Sequence, residues 1–503
     1  MKVSKYITIV LAALTLASCD LNKEPYGASS FWTSEGEAQR GLNAIYAPLY
    51  EEEGYGRGHW WFGAASDDMI INSNKTADLT MTEFNAVTNT SSGNYNNWKY
   101  MYRVIKRAND VIANVPQVKM PEDKKKQFVG EAHFMAAFAY FHLAKRYGGL
   151  PYYDYTKPEE TNKPRETKEQ TYKNIEAHLK QAIANYEELG LWVRTDADWG
   201  RPNLGAMHGL LAKVYAHWGK FDLAKAESEK VISRSEYELY PSYKELFSVK
   251  GEKSSEVLFN LANKEGMGDN STIASIVTIS KKFSGGKGWN YFPPTQSLVN
   301  AFEEGDERRA TTFVGFGDTF GLKDNQIELT PENISDMPTG YMCVKFSQNY
   351  LNMSVYDWRS GNDQPLLRLS DIYLIYAESV MQLAGANYQN RNTVVPAAAE
   401  ALNKVRRRAF NVSDNSKDVP ATFQNLMDER RRELAYEDER HYDLVRWGAA
   451  KDVYAAATTA TDPRGPRSFV PGTHDHFPIP QSEIDNTDGL LINNPAKGYS
   501  TFE

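Results

Sequence analysis

Leu426–Gly448 reads LMDERRRELAYEDERHYDLVRWG, and the fold class turns on how it is understood. Its apolar residues are few: Leu426, Met427, Leu434, Leu444, Val445 and Trp447. Charges fill the rest at helical spacing. Arg430 stands three before Glu433, Glu437 three before Arg440, and Arg440 three before Asp443. Residues three or four apart share a helix face, so the stretch reads as one helix laced with complementary pairs. Glu429, Glu433 and Glu437 fall on one stripe and repel each other unless guanidinium groups neutralise them. Glu433 and Glu437 lie one helical turn apart, about the separation a retaining glycosidase needs for its two carboxyls. The arginines alongside would lower both pKa values, which does not suit a general acid. The preferred reading is a charged helix that docks on its neighbours through forked arginines.

Towards the N-terminus, residues 1–18 read as a signal peptide. Lys2 and Lys5 make a basic start, and Ile7–Leu16 is apolar but too short to span a bilayer. The leader closes Leu16-Ala17-Ser18-Cys19, which resembles a bacterial lipobox, and 19–30 reads as a lipidated tether broken by Pro25 and Gly27. One acyl chain contributes about 0.8 kcal/mol per buried methylene and anchors only marginally, so firm anchoring needs several. With Cys19 acylated, Cys343 has no disulfide partner, and stability must come from the core. Loss of Lys2 and Lys5 takes the formal charge from −8 to −10. An acidic chain without basic runs is a poor match for nucleic acid. No later segment is long and apolar enough for a membrane-spanning helix.

Residues 31–240 read as an N-terminal helical region and 241–503 as a C-terminal region. Ser34 or Thr33 caps a first helix with Leu42, Ile45, Tyr46 and Leu49 on its apolar face. Asn97–Val115 is a helix with Trp98, Met101, Ile105, Ala108 and Ile112 inward, which makes Trp98 a core residue. Asp123–Tyr147 is another, ended by Gly148-Gly149. Within 203–232, Leu211, Ala212, Tyr215, Gly219, Phe221, Ala224 and Val231 fall in tetratricopeptide register: helix, glycine turn, helix. Looser copies lie at Ala132–Tyr147 and Tyr373–Arg408, and such pairs bury their faces only by stacking. From Pro241 to Gln364 the helical period fades, and Val257–Leu261, Ile273–Ile279 and Tyr341–Phe346 read as short strands among loops. The fold class is therefore all-α: a tetratricopeptide-like helical-pair scaffold with long irregular loops and a few short strands.

Two loops carry aromatics that helix packing does not require. Residues 51–74, EEEGYGRGHWWFGAASDDMIINSN, place Trp60 and Trp61 in a glycine-broken segment, and Gly285–Pro294 presents Trp289 and Tyr291. Aromatics on loops are more informative than those on a helix stripe. The glycines do not spell a nucleotide loop, and H-E-x-x-H and G-x-S-x-G are absent. Asp67-Asp68 is the one acid pair in an aromatic loop, and adjacent residues usually point apart. His133 and His142 are nine apart, which is no ligand spacing, and His474-Asp475-His476 lacks a third clustered ligand and reads as a solvated loop. These features assign no catalytic residue, metal or cofactor, and a non-enzymatic binding role is expected.

The run Glu429-Arg430-x-x-Glu433-Leu434-Ala435-Tyr436-Glu437-x-x-Arg440-x-x-Asp443-Leu444-x-Arg446-Trp447-Gly448 resembles the C-terminal signature of the RagB/SusD family of bacterial surface lipoproteins. The likeness extends to Arg368–Glu378, to Pro294-Thr295-Gln296 with Ala301-Phe302 and Asp306-x-Arg308, and to Phe477-Pro478-Ile479-Pro480-x-x-Glu483-Ile484 with Asn494-Pro495. It implies a surface-exposed lid, lipid-anchored in the outer membrane through Cys19. The lid would capture an oligosaccharide and deliver it to a SusC-like TonB-dependent transporter. Oligopeptide capture, known in the RagB branch, and a glycoside hydrolase on a helical scaffold stay open as alternatives. Sugars show apolar C–H faces that stack on rings and hydroxyls that pair with amides and charges. The candidate ligand residues are accordingly Trp289, Tyr291, Trp60 and Trp61 as rings, with Asp67, Asn72 and Arg57 as polar partners. Gly288-Trp289 resembles the glycine-tryptophan of the starch-binding platform, and the family's S-D-D/E element points to Ser66–Lys75. Asn72 and Asn74 stand where starch-binding members have tryptophans, which implies a different platform and a different glycan.

Overall fold

Ser34 opens the first helix, α1 (Glu35–Ala44). Its hydroxyl accepts from the Glu37 amide, and the Glu37 carboxylate accepts from the Ser34 amide, a capping box. The computed structural model describes residues 31–493 except 57, 74–75, 85–89, 158–159, 161, 265–278, 284–287, 321–325, 348–360 and 488. The leader with Cys19, Arg57, Asn74, most of Ile273–Ile279, Gly285–Lys287 and Asn494-Pro495 lie outside the described residues.

After α1 come α2 (Gly58–Gly63), α3 (Ser92–Asn114), α4 (Glu122–Tyr147), α5 (Lys168–Glu187), α6 (Leu204–Trp218) and α7 (Phe221–Ile232). The α6–α7 hairpin is the tetratricopeptide unit read from the sequence. Asn203 caps α6 by accepting from the Ala206 amide at 2.9 Å, and Gly219 ends it at φ 78°, a left-handed position that suits glycine. α3 begins at Ser92, five residues before the Asn97 start expected from its sequence. Its first turn holds Asn94, a buried amide that accepts from the Tyr147 hydroxyl and carries no hydrophobic signal. Neighbours stack in order, α3 on α4, α4 on α5, α5 on α6 and α6 on α7. The series continues through α8 (Leu369–Leu383), α9 (Ala399–Ala409) and α10 (Phe423–Glu433). The two looser repeats fall on α4, which packs against α5, and on α8 with α9.

Among the described residues the middle of the chain supplies six short strands: β1 (Val257–Leu261), β2 (Phe313–Gly315), β3 (Thr319–Phe320), β4 (Ile327–Glu328), β5 (Tyr341–Cys343) and β6 (Gln364–Arg368). They form three two-stranded antiparallel ladders, β1 with β6, β2 with β5 and β3 with β4. One apolar core runs from Ala38 to Leu491, and a smaller one gathers Ile279, Leu329 and Met342. Among the described residues no helix is long and apolar enough to cross a membrane.

The charged stretch departs from its reading as one helix. α10 stops at Glu433, a turn covers 434–438, and α11 (Arg440–Arg446) follows after Glu439. Tyr436 and Asp438 sit at φ 65° and 61° in that turn. Tertiary partners hold both there: the Tyr436 hydroxyl donates to Phe292 O at 2.7 Å, and Asp438 pairs with Arg146 at 2.9 Å.

Candidate ligand-binding site

None of the three pairs that spacing suggested forms; Glu429 with Arg432 and Asp443 with Arg446 pair locally, at 2.9 and 2.7 Å, and most of the other signature charges pair across elements. Fully buried Glu433 receives Arg308 at 3.1 Å, Arg368 at 2.8 Å and Arg408 at 2.5 Å. Glu437 receives Lys345 at 2.7 Å and Arg368 at 2.6 Å. Arg430 bonds Asp371 and Asp443 rather than Glu433. A buried carboxylate needs cations on several sides, and a single helix face supplies too few. Burial pushes the Glu433 carboxyl up, but the Arg408, Arg368 and Arg308 guanidiniums overcome it and hold it well below the usual range. A carboxylate held ionised in this way cannot serve as a general acid.

Arg440 and Arg431 carry this network to the loops. Arg440 makes a forked pair with Asp67, at 2.9 and 3.1 Å, and Arg431 reaches Asp67 at 3.0 Å and Asp68 at 2.7 Å. Burial raises both carboxyls; the two guanidiniums pull Asp67 below its ordinary value, while Asp68, which also faces the Asp67 charge, stays above its own. From Asp67 onward the chain is laced antiparallel to 291–295. The Thr295 hydroxyl donates to Asp67 O at 2.6 Å, Thr295 N to Asp68 O at 2.9 Å, Ile70 N to Pro293 O at 3.1 Å and Asn72 N to Tyr291 O at 2.8 Å. The Asn72 amide adds a bond to Asn290 O at 3.2 Å. Arg467 and Arg464 clamp the start of the ladder through Ser66 O, at 3.0 and 2.7 Å.

The lacing brings together three of the expected ligand residues. Asn72 is exposed, and Trp289 and Tyr291 are half-buried beside it. Trp60 and Trp61 correct the expectation of stacking rings on the surface. They sit on the short helix α2, 0% and 5% exposed. The Trp60 indole donates to Tyr436 O at 2.9 Å, and its ring packs on Phe292 and Phe346. Trp61 meets Tyr291 edge-on at 5.2 Å and so backs the platform from beneath. Asp67 is likewise 4% exposed and committed to its arginines, and Arg57 lies outside the described residues.

Asn290, which sequence reading passed over, is the strained residue of the platform. It takes φ 40°, is 2% exposed, and its side-chain amide has no hydrogen-bond partner among the described residues. Asparagine between two loop aromatics was the available signal, since it tolerates left-handed backbone better than most residues.

The histidines read as a solvated loop are packed instead. His474 stacks on Phe84 at 5.6 Å, and buried His476 lies against Gly148, where a Cβ would come within 2.8 Å of its ring. Among the described residues His217, Glu439 and Asp443 come close enough to hold a metal ion. Lys145 and Lys213 already bond Glu439, and Arg430 and Arg446 bond Asp443, so four cations repel any ion there.

A stack of tetratricopeptide-like helix pairs that carries a half-exposed ring-and-amide platform on laced loops defines a helical-scaffold recognition protein. The chain belongs to the SusD/RagB family: residues 255–499 match the SusD family, and residues 21–216 match a SusD-like family described as starch-binding and associating with the outer membrane. It is 25% identical to SusD-like protein P2 of Formosa agariphila over 97% of this chain and 99% of that one. It is 24% identical to the starch-binding protein SusD of Bacteroides thetaiotaomicron over 73% and 72%. Surface glycan-binding protein A of B. thetaiotaomicron, solved in complex with laminarihexaose, superposes with a TM-score of 0.74 at 22% identity, over 92% of this chain and all of that one.

Proposed function

We propose that this chain is a glycan-binding lipoprotein of the outer-membrane surface. It captures oligosaccharides at the platform of Trp289, Tyr291 and Asn72 and delivers them to a SusC-like TonB-dependent transporter. The observation that carries the reading is the ladder between 67–72 and 291–295, which holds two half-exposed rings beside an exposed amide. Rings offer faces to sugar C–H groups, and amides pair with hydroxyls. A relative described as a laminarin-binding SusD-like protein, 24% identical with a TM-score of 0.73, supports the ligand class. Few contacts that compete with water give dissociation constants between micromolar and millimolar, about −4 to −8 kcal/mol.

Calorimetric titration of residues 20–503 with neutral hexasaccharides, laminarihexaose first, tests this. Trp289→Ala should weaken binding ten- to hundredfold, roughly the 1.5–3 kcal/mol of one buried ring. Full affinity in a folded Trp289→Ala protein would remove the platform from the site. Release of shorter products would favour the hydrolase, and binding confined to peptides would favour oligopeptide capture.

A further inference from the structure

A groove of about 900 Å³ runs along α3, and none of the platform residues Asn72, Trp289 and Tyr291 lines it. This is near the upper end for small-molecule sites. Its floor is α3 from Trp98 to Asn114, a length of about 24 Å at helical rise. One wall is the chain at 151–156, and the other is the C-terminal segment that includes Glu483 and Leu491. The platform touches the same helix elsewhere. A Cβ on Gly93 would come within 2.6 Å of the Trp61 indole nitrogen. Trp98, five residues on, is turned from Gly93 by roughly 140° and displaced by roughly 7–8 Å. The two places therefore use different faces of one helix.

The groove has the chemistry of a sugar site. Tyr102 stands 4.8 Å from Trp98 and 5.8 Å edge-on from Tyr153, and its hydroxyl is fixed on Pro151 O at 3.1 Å. Tyr155 is seated edge-on against His133 at 5.6 Å. Rings already held in place lose little freedom when a ligand stacks on them. Asn109 lies among them, 8% exposed. Its Nδ2 donates to Tyr153 O at 2.8 Å, while its buried Oδ1 has no partner among the described residues. An unpartnered amide oxygen is costly to leave unsatisfied, and a ligand hydroxyl or a bridging water satisfies it.

The charge balance selects among ligands. Four cations and four carboxylates line the groove, Lys106 is paired with Asp110 at 2.6 Å, and Asp154 accepts twice from Thr156 at 2.8 Å. A polyanion would find no surplus of positive charge. An extended peptide gains affinity by adding to a free strand edge. Here the Tyr153 N–H is not free to donate to a peptide, because it already donates to the Tyr140 hydroxyl, and Pro151 O and Tyr153 O are also taken.

We infer that this groove is a second binding site for a neutral oligosaccharide, formed by Tyr102, Tyr153, Tyr155 and Asn109; the inference rests on the glycan-binding reading of the chain. The test is titration of residues 20–503 with laminarihexaose, cellohexaose, maltohexaose and xylohexaose, in wild type, Trp289→Ala, Tyr153→Ala and Ala113→Trp proteins. Tyr153→Ala keeps the main-chain bonds that position the wall. Ala113→Trp fills the groove and removes no contact. The result expected is a binding event that survives Trp289→Ala and weakens at least tenfold in both groove variants. Binding lost in Trp289→Ala and unchanged in both groove variants overturns the groove and leaves the platform. Binding lost only in the groove variants upholds the groove and overturns the platform. Failure of all four sugars to bind wild type overturns both.

Discussion

Arg440→Ala tests whether the charge network holds the site loops. In the folded protein the guanidinium makes a forked pair with Asp67, and both side chains are nearly sealed from water, 12% and 6% exposed. Removing it leaves Arg431 alone to serve Asp67 and Asp68. Breaking a buried pair costs about 3–5 kcal/mol, and the remaining contact at 3.0 Å places this one at the low end, about 3 kcal/mol. For a chain of this size the unfolding entropy is roughly 1 kcal/mol per degree at the midpoint, so the calorimetric Tm should fall by about 3 °C. Arg440→Lys should recover less than half, because an ammonium cannot form the fork. A cycle with Asp67→Ala isolates the pair: the double variant should be less destabilised than the two single effects added together. An unchanged Tm in Arg440→Ala would refute the scaffold role. Lost glycan binding at unchanged Tm would move Arg440 into the site.

Three further outcomes follow from packing, burial and the leader. Gly93→Ala should force the Trp61 ring aside and cost about 1–3 kcal/mol as overpacking, visible as a lower melting temperature together with weaker glycan binding; an unchanged melt would show that the indole has room to move. Burial holds His133 down at about 3, helped by the His178 charge, and burial holds His178 at about 4, with their Nδ1 atoms 2.9 Å apart. Both lie below the ordinary value near 6.5, so the unfolded chain takes up protons first. Their contribution is whole above that pH and is lost as pH falls toward 4, by roughly 2 kcal/mol per histidine at pH 5. Melting of a His133→Gln, His178→Gln protein should therefore depend less on pH between 6.5 and 4, and an equally steep dependence would place the acid sensitivity elsewhere. Cys19→Ala should move the protein from the detergent phase to the aqueous phase, and retention in detergent would refute the lipobox.

Much of the scaffold was legible because its signals are local. The tetratricopeptide register of 211–231, the Ser34 cap and the Gly148 and Gly219 stops each lie within a few residues of what they specify. The break at 434–439 was not. Leu434-Ala435-Tyr436-Glu437 contains neither glycine nor proline, and the partners that fix Tyr436 lie at Trp60 and Phe292. Trp60 and Trp61 misled for the same reason. Their glycine-broken surroundings looked like an exposed loop, and the residues that cover them, Phe292, Phe346 and Tyr436, stand more than two hundred positions away. Trp289, Tyr291 and Asn72 were named from separate loops, and the ladder that joins them involves main-chain atoms that no side-chain pattern records.

The signature residues that carried the family resemblance are, for the most part, the ones that fill the buried charge network. Arg308, Arg368, Glu433, Glu437 and Arg440 all have their charged groups inside. Buried ion pairs add little net stability over apolar packing, because desolvation offsets their attraction. What they add is geometry: each guanidinium fixes several acceptors at once, and a loop bonded to one cannot slide. The ladder that displays Trp289 and Tyr291 has two residues of formal bridge pairing, Met69 and Pro294, so its register depends on such outside restraints. Asp67 through Arg440, and Phe292 through Tyr436, supply them on opposite strands. The motif therefore specifies how the platform is held and not what it holds. Under the proposed function, ligand choice falls to positions 72, 289 and 291, outside the charged motif. Exchanging those side chains should change which glycan binds and leave the melting temperature nearly unmoved.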